Sequence, residues 1–385
     1  ALVAQRTADL DAAVFHAEAL MDLQPWDYYD EKLAPKGNTA AVVSLLESVM
    51  KENPNHAGAL HLYVHAVEAS ADPQRGVVAA DRLRTLIPGS GHLVHMPAHI
   101  YARVGRWHDA VVANQAAIAA DNDYLATCGP NAKGVYPLGY VPHNPHFLWF
   151  AASMEGASKV AQEAARTTAQ RVNLPDLMRQ PGFAGLQHYW MTPWFDNVRF
   201  GRWDEIRAAP NPAPDLPYVT AMWNYAQAMA AIRQDRLEDA QRHYAELAKL
   251  AADPIMPTLM VWDRYPLSHA AQIAERTVNA ELALARGDQA AAIAALTEAV
   301  TIEGRIPYDE PPGWHSPVRQ SLGAVLLAAG RPGDAERVYR EELQRNPLNG
   351  WSLKGLALAL RQQQRADEAM AIEKQFQAAW QHSDV

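Results

Sequence analysis

Apolar residues recur along this chain at spacings of three and four, and almost nowhere at a spacing of two. With alanine abundant between them, that period predicts helices throughout and strands nearly nowhere. Three segments show the repeating unit: HIYARVGRWHDAVVANQAAI (99–118), LALARGDQAAAIAALTEAV (282–300) and AVLLAAGRPGDAERVYREEL (324–343). In each, an apolar helix ends on a glycine, a short turn follows, and a second helix rich in small residues begins. Gly105, Gly287 and Gly330 stand at the turn, where a helix ends in the left-handed conformation. Ala110 and Ala335, five residues further on, let the second helix lie close against the first.

Aligned on the turn, the chain divides into nine hairpins: 8–55, 56–89, 90–122, 143–173, 185–210, 216–252, 266–303, 315–347 and 349–380. This unit resembles the tetratricopeptide repeat family, whose helix–turn–helix runs to about 34 residues. The match is clearest at 315–347, which ends on the helix-stopping Asn346-Pro347. The resemblance is to a bacterial tetratricopeptide protein with a histidine-rich concave groove. It implies an all-α fold, a right-handed α-solenoid of eight or nine hairpins, forming a single superhelical domain over residues 1–385. Three longer insertions break the repeat at 23–37, 123–142 and 304–314. They are rich in Pro, Gly and aromatic residues, as segments that pack over a groove or fill a bend would be.

Histidine then changes the picture. Ten of the fifteen histidines lie between His56 and His188, where an even spread would place about five. HLYVH (61–65) and HMPAH (95–99) both place His at i and i+4, on one helix face, a spacing by which helices chelate metals. His61 and His95 are 34 residues apart, as are His65 and His99, so the pairs occupy equal positions in consecutive repeats. By the geometry of the family these positions, the fifth and ninth, face the concave side. The same frame brings His146 to a fifth position, Glu18 to a ninth, and Glu68 one turn beyond His65. These seven residues are the expected ligands. Three or four imidazoles with a carboxylate suit a divalent transition metal (copper, zinc or iron) with one position left open for catalysis.

His92, His143 and His188 fall at second positions of their repeats and are expected to touch a groove ligand. So are Trp190 and Trp194 in HYWMTPWF, and His315, which reaches the groove if the solenoid curls round. Trp26, Tyr28 and Tyr29 either close the groove or cap the end of the solenoid. His56 and His108 read as surface or turn residues.

Composition narrows the remaining classes. The net charge is −9 over 385 residues with no basic cluster, which excludes a nucleic-acid partner. The single cysteine, Cys128, excludes a disulfide framework and a thiolate zinc site, and reads as a loop bystander. No apolar run is long enough to span a bilayer. The start, ALVAQRTADLD, lacks the regions of a signal peptide and reads as a mature or trimmed end. The expected setting is soluble, in a bacterial cytoplasm or periplasm. There is no glycine-rich phosphate loop, GxSxG elbow or HExxH motif. Two main functions follow: a metal-binding protein, with or without enzymatic action on a small molecule in the groove, or a peptide-binding scaffold of the kind usual in the family. A passive assembly module, in which every histidine is dispensable, is the third.

Overall fold

The computed structural model describes residues 9–129, 133–180 and 182–385. Residue 8 of the first expected hairpin, residues 130–132 of the second insertion, and most of the N-terminal stretch read for a signal peptide lie outside the described residues. The described chain is an all-α solenoid in which most helices pack on a neighbour in sequence. Its contacts divide it into two compact units, one ending at Asn144 and one beginning at Pro145.

In the first unit, α1 (Leu10–Asp22) pairs with α2 (Thr39–Glu52), and α3 (Ala57–Glu68) with α4 (Val77–Leu86). Next, α5 (Gly91–His95) and α6 (Pro97–Arg103) together pair with α7 (Trp107–Cys128). Pro97 supplies no N–H, which is why one helix reads as two pieces. A π-helical stretch, Tyr136–Tyr140, leads into α8 (Val141–Glu155). The second insertion is therefore only partly irregular, because α7 extends through 123–128. Cys128 is the last residue of that helix and does not sit in a loop.

α3 decides the character of the first unit. Leu60, Leu62, Tyr63, Val64, Ala66 and Val67 are buried on several sides of it, because α1, α2, α4 and α6 all pack around it. His65 and Glu68 are buried with them, so their polar atoms must find partners inside the protein.

The second unit continues with α9 (Ser158–Arg171), α10 (Pro175–Met178), α11 (Gly185–Trp190), α12 (Thr192–Arg199) and α13 (Trp203–Ala208). Four regular pairs follow: α14 (Pro217–Arg233) with α15 (Leu237–Ala251), α16 (Ser268–Ala285) with α17 (Gln289–Glu303), α18 (Val318–Ala328) with α19 (Pro332–Arg345), and α20 (Gly350–Gln362) with α21 (Ala366–Ala379). A two-stranded antiparallel ribbon, β1 (Met260–Val261) and β2 (Tyr265–Pro266), precedes α16.

The end of the chain returns to the start of this unit. The Asp384 carboxylate accepts from the backbone N–H groups of Ser158, at 2.6 Å, and Lys159, at 3.2 Å, capping α9. Trp351 donates its indole N–H to the Ser153 carbonyl at 2.8 Å. His315 stacks face to face on Phe195, with ring centroids 4.6 Å apart. The second unit thus curls until its late hairpins meet its early ones.

Candidate metal centre

Three elements of the first unit bring six imidazoles together. α3 carries His61 and His65, α5 and α6 carry His92, His95 and His99, and the start of α8 carries His143. The break at Pro97 leaves the i, i+4 register intact, since the Nε2 atoms of His95 and His99 stand 2.8 Å apart. The six form two trios: His61, His65 and His92 in one, and His95, His99 and His143 in the other. Within each trio, one ligand atom from every ring lies within 4.8 Å of the others.

The outer partners of the rings fix which nitrogen carries the proton. Asn114 donates its amide N–H to the Ala110 carbonyl, an acceptor only, at 2.8 Å. Its Oδ1 must then be the atom 2.7 Å from His95 Nδ1, so His95 Nδ1 is the donor and Nε2 keeps a lone pair. That lone pair meets two other Nε2 atoms, of His99 at 2.8 Å and of His143 at 3.0 Å. One in-plane lone pair makes one good hydrogen bond, so His95 Nε2 cannot serve both neighbours well as an acceptor. In the other trio, His61 and His92 face each other through Nε2 at 3.0 Å.

Glu68 stands behind both trios. Its Oε1 is 3.1 Å from His65 Nδ1, and its Oε2 is 2.6 Å from His99 Nδ1. Burial works to raise the Glu68 carboxyl, but the imidazoles of His99 and His65 hold it well below the usual carboxylate range. An ionised Glu68 accepts a ring N–H from each trio and turns both Nε2 atoms away from itself. A carboxylate so placed can orient imidazole ligands as an outer partner, and Glu68, an expected ligand, also stays within ligand distance of His99.

Burial disfavours the charged form of His61, His92 and His95. It pushes His61 down to about 3, with His65 and His99 adding to the effect. His92 and His95 are held well below the ordinary histidine value, first by burial and then by neighbouring imidazoles. At neutral pH these rings carry lone pairs and no competing protons.

Both inserted stretches of the first unit reach this cluster. Trp26 stands edge-on to His65, with centroids 5.0 Å apart, and Tyr140 edge-on to His92 at 4.7 Å. Tyr29 ties the first insertion down by donating to the Ala66 carbonyl at 2.7 Å. Trp26 and Tyr140 are partly exposed, as are His61 and His92, while His65, His95 and His99 are buried. The trio of His61 therefore lies nearer the surface.

The remaining expected residues are not members of these trios. Glu18 is exposed on α1, whose buried face is Val14, Ala17 and Met21; one residue past Ala17 the side chain has turned about 100° away. Glu18 is thus not brought to the cluster. His146 belongs to the second unit, stacked on Trp149 with Tyr189 and His188 nearby. It is fully buried and neither ring nitrogen has a hydrogen-bond partner. His188 meets the Tyr218 hydroxyl at 2.7 Å, and His315 Nε2 meets the Tyr225 hydroxyl at 3.1 Å. These are aromatic-core contacts of the second unit. Trp194 packs against Ile206, Ala226 and Ala230, and Trp190 stands edge-on to Trp194 at 5.2 Å, so these two take part in the core of the second unit. His56 is a turn residue as expected: it begins α3, accepting from Ala59 N–H.

His92 and His143, read from the sequence as ligand contacts, are full members of the trios. Asn114 was not foreseen. It lies on the second helix of its hairpin, 19 residues from His95, and belongs to no spacing motif.

Among the described residues no helix is long and apolar enough to cross a membrane. No protein-family profile matches the chain, and no curated protein matches it. Among solved structures, it is similar to one described as Naa15/Naa10 bound to HypK-THB, at 15% identity and a TM-score of 0.29. The alignment covers 97% of this chain and 42% of that one, so this chain spans less than half of its length. At that score the likeness carries no argument about function.

Proposed function

We propose that this chain is a metal-binding helical-repeat protein of the tetratricopeptide type, whose histidine cluster serves metal-dependent chemistry on a small molecule. One observation carries the reading. His95 has its Nδ1 committed to Asn114, and its remaining lone pair faces the Nε2 atoms of both His99 and His143. Buried nitrogen lone pairs aimed at one another repel, and a cation among them turns that repulsion into attraction.

The surroundings support a working site. Three imidazoles leave a coordination position open, and an ion so held activates water or dioxygen. Asn114 and Glu68 set the tautomers and orient the rings, the part that outer partners play in metal sites. Trp26 and Tyr140 offer aromatic walls beside the outer trio, suited to a flat or apolar substrate.

The test is elemental analysis of protein purified without a histidine tag, before and after exposure to a chelator. Bound transition metal that is absent from a His95→Ala/His99→Ala variant supports the reading. Protein that neither retains metal nor takes up added ions at micromolar concentration sinks it. The peptide-binding alternative would then stand.

A further inference from the structure

Resting on the metal-binding reading above, we infer that the cluster holds two transition-metal ions per chain, as two adjoining three-histidine sites.

The count follows from how the imidazoles group. Each trio takes two rings from one i, i+4 pair and a third from the next element: His92 joins His61 and His65, and His143 joins His95 and His99. A single ion bound by all six would need every Nε2 about 2 Å from one point, and so all within roughly 4 Å of one another. The rings instead separate into two sets. Across the sets the rings come as close as His65 and His99, whose centroids are 5.5 Å apart. The sets adjoin without merging. The repeat explains the duplication, since consecutive hairpins present equal pairs side by side.

Glu68 couples the two sites. One of its oxygens meets His65 of the outer trio and the other His99 of the inner trio. A single buried carboxylate thus contacts one ligand of each site.

The experiment is anaerobic titration of metal-free protein with cuprous ion against a coloured cuprous chelator, with zinc ion titrated in parallel. Wild-type protein should bind two equivalents of at least one of these ions. His92→Ala and His143→Ala, which each open one trio, should bind one apiece, and the double variant none, with far-UV circular dichroism unchanged. One tightly bound ion in wild-type protein, kept by His92→Ala and lost by His143→Ala, overturns the two-ion site while leaving metal binding in place. No binding of either ion overturns the parent reading as well. The wild-type stoichiometry decides the count even if a variant misfolds.

Discussion

Glu68 Oε2 stands 2.6 Å from the Nδ1 of His99, inside a unit where the carboxylate is 2% exposed. A buried carboxylate this close to a ring nitrogen fixes both the tautomer and the direction of the imidazole, and here it does so for His65 as well. Glu68→Gln keeps the shape but can accept from only one of the two rings, because half of its head is a donor. The expected result is a metal affinity lower by about 10- to 100-fold. Metal-free stability should also fall, by about 1–3 kcal/mol, for the ring N–H left without an acceptor. Competition titration reads the first and urea denaturation the second. Unchanged affinity would mean that Glu68 does not orient the ligands.

The double replacement His65→Ala/His99→Ala removes one ligand from each trio and both partners of Glu68. Metal binding should be lost. The helices should remain, because α3 and α6 are held by Leu60, Val64, Ile100 and Tyr101, which these changes leave in place. Elemental analysis and far-UV circular dichroism together decide it. Loss of helical signal would make the histidines core residues first.

Asn114→Leu tests the tautomer argument separately. It removes the acceptor that holds the proton on His95 Nδ1 while filling similar volume. Affinity should drop by about tenfold, the low end of the range for outer partners. His95 would then be free to carry its proton on Nε2, which nuclear magnetic resonance of the ring nitrogens can report. A ring still protonated on Nδ1 in the variant would show that something other than Asn114 sets the tautomer.

The helical fold was legible because the chain carries it in local signals. Gly105, Gly287 and Gly330 adopt φ of 80°, 80° and 69°, as helix-ending turns demand. Where the repeat looked degenerate the turn is still made, by Asp235 with φ of 56° and Gln364 with φ of 61°. The geometry persists there without the residue that announces it. The paired histidines were legible for a related reason, since i, i+4 spacing and a period of 34 are properties of sequence. The grouping into trios was not. His92, His143 and Asn114 take their places through packing between hairpins, which no local spacing encodes. Glu18 shows the converse limit: a repeat frame places a residue to within one position, and one position on a helix is about 100° of direction.

A last prediction concerns the second unit and pH. Glu342 is 1% exposed, and burial, with Glu303 adding to it, raises its carboxyl from 4.5 to about 8. Burial raises Glu303 as well. At neutral pH the folded chain therefore keeps a proton on Glu342 that the unfolded chain has released. The folded state binds more protons between about 4.5 and about 8, so stability falls as pH rises through that window. It is fully present below the unfolded value and lost as pH passes the folded one. Glu342→Gln mimics the protonated form and still offers Asn346 an oxygen to accept its amide N–H, as Glu342 does at 2.6 Å. The variant should match wild type near pH 5 and exceed it near pH 9 by on the order of 2 kcal/mol. Urea midpoints at the two pH values provide the measurement. A gap between the proteins that stays constant from pH 5 to pH 9 would show that Glu342 is ionised in the folded chain throughout.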